Sequence, residues 1–419
     1  MDISTSISVN EARELVRQNV KPGGIVKVSP DQAVGRVLAS DLYSDIDVTP
    51  FDDSAMDGFC LRSADIENAS DDAPVSLTCV AHIGAGSHYD QVIQPGQCAR
   101  IMTGAPVPEG ADTVVKIEIV TFEGQGTVGD AITFAAPSKP GNNIRKAGEE
   151  AKKGDLILRA GAIITPAGAG LLASTGNLEV PVYAAPKVGI FTIGSELVDA
   201  SEVPGPGMIR DSNVYSISAY VRAAGCEPVV YPRVTDDEQQ IEDAFKRAAE
   251  ECDVVVSTGG ACAGDFDYTP VILERLGKIH FLRVNMKPGK SQPFGEINGK
   301  PVFVLSGNPG ASAMGFEIFV RPALRLLQGF TAIDHPTVTA KLSADTKKKD
   351  ARLFFNRGFL SKDDQGEYVV SMCKNQSSGL YGSLQESDCL VILPEGAGLI
   401  SAGTPVTCVL NRIDEGALL

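Results

Sequence analysis

Val254-Val255-Val256-Ser257-Thr258-Gly259-Gly260-Ala261-Cys262-Ala263-Gly264-Asp265-Phe266-Asp267-Tyr268 is the stretch that decides the fold class. Its opening run of β-branched residues lacks polar alternation, which reads as a strand buried on both faces. The run ends in a loop rich in glycine and aspartate. Just upstream, residues 236–252 place Ile241, Ala244, Phe245, Ala248 and Cys252 on one helical face, with acidic residues in the first turn. Residues 188–193, 228–231, 279–284 and 302–305 repeat the buried-strand pattern, and helical patterns separate several of them. This alternation predicts an α/β sandwich over residues 185–329, built around a largely parallel sheet.

Outward from that domain the texture changes. Residues 50–136 hold short β-rich runs (75–80, 99–103, 113–121 and 131–135) divided by Gly, Pro, Asp and Asn, and predict an all-β insert. Residues 1–49 and 137–184 flank it as an N-terminal or linker domain. There, Ser8-Val9-Asn10-Glu11 is a capping box before Val9, Ala12, Leu15 and Val16 at one-face spacing. Ser29-Pro30-Asp31-Gln32 predicts a second helix, and Thr165-Pro166 opens a third. Residues 330–419 alternate β-like runs with tight turns and predict a small barrel or sandwich.

Composition removes several function classes. The formal net charge of −16 argues against nucleic acid as a partner and against binding to anionic lipid. Any anion must therefore be held locally. No stretch approaches the ~18 apolar residues of a membrane span, and Met1-Asp2-Ile3-Ser4-Thr5 lacks a secretory n-region. The nine cysteines include no CxxC and fit buried thiols in a reducing cytoplasm. His82, His88, His280 and His335 are scattered, so zinc-dependent hydrolysis has no support.

In open α/β sheets, ligands gather beyond the carboxyl ends of the strands. The residues that follow the strands here are Gly194-Ser195-Glu196, the Gly259–Tyr268 loop, Lys287-Pro288-Gly289-Lys290 and Ser306-Gly307-Asn308-Pro309-Gly310. Any one of these is ordinarily only a turn. Together they describe a phosphate-ester or nucleotide site, in which glycines admit backbone N–H groups to an anion, Lys287 and Lys290 add charge, and Asp267 can hold Mg²⁺. Neither Walker A nor GxGxxG is present. Asp211-Ser212-Asn213 reads as a helix cap, most naturally through Ser212, without excluding ligand contact by Asp211. Phe51-Asp52-Asp53-Ser54-Ala55-Met56-Asp57-Gly58 concentrates carboxylates, or is an Asp-Gly turn opening the β insert. Residues 141–150 combine glycines, Arg145, Lys146, Glu149 and Glu150.

These segments resemble one family. Asp53–Phe59, Ile101–Gly110, Asn143-Ile144-Arg145 with Gly148-Glu149, Asp211-Ser212-Asn213, Gly264 with Asp267-Tyr268-Thr269, Lys287-Pro288-Gly289-Lys290 and Gly307-Asn308-Pro309 are similar, in order, to the MoeA/gephyrin E-domain family. The likeness runs from about residue 9 to 411. It implies an α/β plus β fold, as an elongated homodimer of four-domain subunits with a C-terminal β-barrel. It implies a cytoplasmic enzyme of molybdenum cofactor biosynthesis, in which molybdate attacks adenylylated molybdopterin in a Mg²⁺-assisted step that releases AMP. Asp57, Glu150, Asp211 and Asp267 would then be the catalytic carboxylates, with Asp57, Glu150 and Asp267 at the metal. Gly259, Gly260, Lys287, Lys290, Gly307, Asn308, Ser312, Arg357 and Ser378 would bind substrate, with Lys290, Arg357 and Ser378 forming the oxyanion site. Asp57 would come from the partner subunit.

The chain departs from the family pattern at Ala311 beside Ser312, at Ser291, at Ala261-Cys262, at Ser195-Glu196 and at Glu150. Because these cluster at one pocket, a second reading stands beside the first. It is a gephyrin-like dimeric scaffold that tethers a membrane or cytoskeletal partner, for instance at a division site, and is recruited there by that partner.

Overall fold

A computed structural model describes residues 6–261 and 268–411. The chain divides into two compact units, Met1–Val26 with Tyr183–Leu419, and Lys27–Val182.

The first unit is built on a seven-stranded sheet. Its order is Ser6–Ile7, Gly277–Val284, Ser291–Ile297, Lys300–Leu305, Val254–Thr258, Lys187–Thr192, Glu227–Val230. Neighbours pair in parallel except on the two sides of Ser291–Ile297. Strand alternation makes the three layers. Val188, Ile190, Val254 and Val256 join a core with helices Val9–Asn19 and Asn213–Ala223. Phe191, Val255, Val302 and Val304 join a second core with Glu238–Glu251 and Thr269–Leu276. The α/β sandwich expected from the buried runs is therefore present.

Ser291–Ile297 escapes a pattern search because it holds Pro293, Gly295 and Glu296. Proline lacks the N–H a central strand needs, and here the ladder with Gly277–Val284 shifts register on either side of Phe281. Gly295 is required, since a Cβ there would lie 2.4 Å from the Lys278 carbonyl oxygen.

The capping box forms as read: Glu11 N–H donates to Ser8 Oγ at 3.2 Å, and Ser8 N–H to Glu11 Oε2 at 2.8 Å. This helix buries Val9, Ala12 and Val16 in the sandwich core, so the first residues belong with the α/β unit and not with a linker. The second box does not make a helix. Residues 29–34 form a turn, which Gly35 stops at φ +79°, a left-handed conformation that favours glycine.

Beyond the sandwich, Leu353–Lys362, Tyr368–Met372, Thr337–Leu342, Pro405–Val409 and Cys389–Leu393 pair in that order. The barrel closes because Cys389–Leu393 also pairs with Leu353–Lys362. Its interior holds Leu342, Val370, Val391, Leu393 and Val406. A two-residue strand from the sandwich side, Met286–Lys287, pairs in parallel with Leu353–Phe354 of the barrel.

The second unit carries a six-stranded sheet, ordered Thr113–Lys116, Gly58–Leu61, Gln97–Ile101, Val75–Ile83, Ala131–Phe134, Val120–Phe122. Asp57-Gly58 is therefore a strand entry, not a turn. Phe59 and Leu61 face one core and Cys60 the other. The described cysteines are free and buried, and among the described residues no helix is long and apolar enough to cross a membrane. At Gly58 a Cβ would stand 2.1 Å from the Val115 carbonyl oxygen. Gly58→Ala is expected to lower the stability of this unit by about 1–3 kcal/mol, measured as a fall in its urea midpoint.

Candidate active site

Two clefts open where the parallel strands end. The larger, about 1080 Å³, is lined by Lys287, Gly289, Lys290, Ser306 and Asn308 from the sandwich and by Thr346, Lys347, Arg352, Phe354, Gln376 and Ser378 from the barrel. The smaller, about 230 Å³, is lined by Glu196, Asp211, Asn213, Asp236, Thr258, Gly259, Gly260 and Gly307. Gly307 and Pro309 face the smaller cleft while Asn308 faces the larger, so this one loop serves both.

Their charges are opposite. The larger cleft presents Arg283, Lys287, Lys290, Lys347 and Arg352 against Asp345. Among the described residues Arg283, Lys290 and Lys347 make no ion pair. Lys287 Nζ lies 4.0 Å from Asp350 Oδ2, and Asp350 belongs chiefly to Arg352, whose Nε is 3.0 Å from both its oxygens. Arg352 holds the Asp350 carboxyl well below the usual carboxylate range. In a chain of net charge −16, unpaired cations gathered in one concave surface form a site for a polyanion.

The glycine loops work by close approach. Gly259 sits at φ +89°, where a Cβ would be 2.0 Å from the Ile193 carbonyl oxygen, and Gly260 at φ +59°, where it would be 2.8 Å from Thr269 Oγ1. The Gly259 N–H donates to the Leu305 carbonyl at 3.0 Å, so this glycine extends the sheet and leaves no N–H for an anion. Asp211 is 6% exposed and both its oxygens are engaged, by Thr192 Oγ1 at 2.5 Å and Val214 N–H at 3.2 Å. Asp211, and not Ser212, therefore caps helix Asn213–Ala223, since Ser212 makes no capping bond.

Two expected ligands lie inside the protein. Ser312 is fully buried on helix Pro309–Gly315, and its hydroxyl has no partner among the described residues. Ala311 faces the larger cleft, and the next helical residue turns about 100° away from it. The Arg357 guanidinium is 1% exposed, with Nη2 donating to the carbonyls of Asn375 (3.2 Å) and Ser377 (3.1 Å). Its Nε and Nη1 have no partner among the described residues, and burial lowers its pKa from the ordinary value. It stands behind the Ser378 loop and does not line the cleft. Asp267 lies outside the described residues.

Asp57 and Glu150 belong to the second unit. Thr103 N–H and Oγ1 donate to Asp57 Oδ1 at 2.8 and 2.7 Å and hold its carboxyl below the usual range. Glu150 is exposed. Asp52 and Asp53 have structural partners, Lys146 Nζ at 2.7 Å and Arg145 Nε at 2.6 Å, whereas Asp57 makes no ion pair among the described residues and feels the Arg100 charge only at longer range. Among the described residues, no three His, Cys, Asp or Glu side chains converge on a metal position.

Sequence reasoning quoted Asn213 only as part of a helix-cap segment and gave no role to Tyr381 or Gln376, the residues that tie the loops together. Asn213 Nδ2 donates to the Gly307 carbonyl at 2.8 Å, and Tyr381 of the barrel donates its hydroxyl to Asn213 Oδ1 at 2.7 Å. Gln376 brackets the Arg357 backbone, accepting from its N–H at 2.9 Å and donating to its carbonyl at 2.8 Å. No local pattern marks either.

The Asp350–Arg352 pair has a pH signature. Because the folded pKa of Asp350 is depressed, its stabilisation is complete above the ordinary carboxylate value of about 3.9. It is lost as pH falls through the lower folded value. The gap in urea midpoint between the wild type and Asp350→Asn is expected to be full at pH 6 and to narrow below about pH 4.

Comparison with known proteins gives a consistent result. Residues 7–176 match the MoeA N-terminal region (domain I and II), 189–326 the domain described as "Probable molybdopterin binding domain", and 339–410 the MoeA C-terminal region (domain IV). A molybdopterin molybdenumtransferase of Haemophilus influenzae is 34% identical over 403 residues, covering 96% of this chain and 98% of that protein. One from Bacillus subtilis is 35% identical over 418 residues, covering 99% and 96%. The crystal structure of a molybdopterin biosynthesis MoeA protein from Pyrococcus horikoshii superposes with a TM-score of 0.83 at 29% identity, covering 98% of this chain and 100% of that one.

Proposed function

The chain belongs to the MoeA family of molybdopterin molybdenumtransferases, and on that premise we propose that it acts in molybdenum cofactor biosynthesis, placing molybdenum from molybdate into adenylylated molybdopterin with release of AMP. The observation that carries this reading is the larger cleft, where Arg283, Lys290 and Lys347 make no ion pair among the described residues. Both reactants are anions, and their mutual repulsion is a large part of the barrier. Fixed cations in a concave site relieve that repulsion without reorganising during the reaction.

Within the cleft, Lys287 and Lys290 meet the phosphates from the sandwich side. Ser378 faces the same space from the barrel, and the unpartnered Nε and Nη1 of Arg357 add positive potential from behind it. Asn308 and Gly307 connect this anionic end to the smaller cleft, where Glu196 and Asp236 can take a neutral heterocycle. The oxygen-donor carboxylates Asp57, Glu150 and Asp267 suit a hard cation, and Asp57 keeps one oxygen unbonded among the described residues. They would hold Mg²⁺, with Asp57 supplied by a second copy of the chain in a homodimer. When bound, the ion screens the phosphate and molybdate oxyanions from one another.

The departures that favour a scaffold are bonded into the site. Ser291 Oγ donates to the Ala261 carbonyl, and Ser306 Oγ donates to the Ser291 carbonyl at 3.0 Å. The Ser195 N–H and hydroxyl both donate to Asp236 Oδ2, at 2.9 and 2.7 Å. Replacements that hold neighbouring loops together support a maintained pocket, and so favour transfer over tethering alone. Purified protein given adenylylated molybdopterin, molybdate and Mg²⁺ is expected to release AMP. Lys290→Ala is expected to lower kcat/KM on the order of 100-fold. Absence of AMP release by the wild type would remove the reading.

A further inference from the structure

Phe354 carries a feature that the phosphate lysines and glycine loops leave unexplained. Its ring, in the wall of the larger cleft, is approached by two ammonium groups, Lys287 Nζ at 5.0 Å and Lys348 Nζ at 4.6 Å from the centroid. The two lysines differ. Lys348 is 3% exposed and its Nζ donates to the backbone carbonyls of Arg352, at 2.8 Å, and Pro394, so it is committed to the barrel wall. Lys287 has a half-exposed side chain and, besides the ring, its charge meets among the described residues Asp350 at 4.0 Å. Asp350 is occupied by Arg352 through both oxygens.

The backbone fixes this arrangement. Lys287 lies opposite Phe354 in the short parallel pairing that joins sandwich to barrel. Leu353 N–H donates to the Asn285 carbonyl at 3.1 Å, and Arg352 Nη1 donates to the Met286 carbonyl at 3.3 Å.

We propose that Phe354, assisted by Asp350, is a positioning residue that holds the Lys287 ammonium over the cleft for a phosphate group of the substrate. This rests on the reading of Lys287 as a phosphate ligand. The physical argument is about charge. A lysine on a four-carbon stem must be ordered to bind an anion well, yet a carboxylate that ordered it would also neutralise it. An aromatic face attracts the cation and leaves its full charge and its N–H donors for the ligand. Arg352 keeps Asp350 from closing on Lys287, so the carboxylate steers without cancelling.

The test uses full-length protein, ¹³C-labelled at lysine, with inorganic pyrophosphate as the probe. The Lys287 ε-methylene signal, identified by its disappearance in Lys287→Arg, is expected upfield of other exposed lysines because of the aromatic ring current. Phe354→Leu is expected to return it to the ordinary position and to weaken pyrophosphate binding about two- to fivefold. Phe354→Tyr, which keeps the ring, is expected to preserve both. A wild-type Lys287 signal at the ordinary position, or unchanged pyrophosphate affinity in Phe354→Leu, overturns the proposal. Should Phe354→Leu not fold, the wild-type signal and Phe354→Tyr still decide it. Lys287→Ala binding pyrophosphate as the wild type does would instead show that Lys287 is not the phosphate ligand. That removes the positioning role too, but with the ring-current shift intact, which tells the two failures apart.

Discussion

The short parallel pairing of Met286–Lys287 with Leu353–Phe354 is the constraint on which the candidate site depends. It attaches a barrel that has closed on itself to the edge where the sandwich strands end. A closed barrel offers no free strand edge, so the join is small. Side chains on both sides supplement it: Arg352 to the Met286 carbonyl, and Tyr381 to Asn213. The Gly310 N–H, which donates to the Ser378 carbonyl at 2.6 Å, joins the barrel loop to the sandwich a second time. Lys290 and Ser378 line one cleft.

Electrostatics then gives the cleft its character. Ion pairs occur elsewhere, as in Arg145 with Asp53, Lys146 with Asp52, or Arg275 with Glu238 and Glu242, and exposed pairs of this kind contribute little stability. What sets the larger cleft apart in an acidic protein is that Arg283, Lys287, Lys290, Lys347 and Arg352 converge on one concave surface. The adjoining smaller cleft carries Glu196, Asp211 and Asp236 against Arg210. A ligand with an anionic end and a neutral hydrogen-bonding end would thus be oriented by the sign of the potential before any close contact forms.

Much of the fold was legible because its signals are local. The apolar runs at 188–193 and 254–257, the capping box at Ser8, the helix before Cys252 and the glycines after several of the strands are all short-range patterns, and the structure carries them. Ser291–Ile297 was not legible. Its proline and glycine contradict strand propensity, and only a register shift and a close backbone approach make them tolerable. The Ser29 box failed for the converse reason: a local helix signal was overruled when Gly35 N–H bonded the Ile164 carbonyl at 2.8 Å.

By itself, the sequence determined the residue types at the strand ends, the acidity that any anion site must overcome, and the family to which the chain belongs. Tertiary structure alone decided which of those residues face a ligand. It buried Ser312 by one step of helical rotation, set Arg357 behind a loop, spent Asp211 and the Gly259 N–H on local bonds, and brought Phe354 against Lys287. The reason is that periodicity and capping act over a few residues along the chain. Exposure and charge pairing depend on partners some sixty to a hundred and seventy positions away, such as Lys287 with Asp350 or Asn213 with Tyr381, and no local pattern records them.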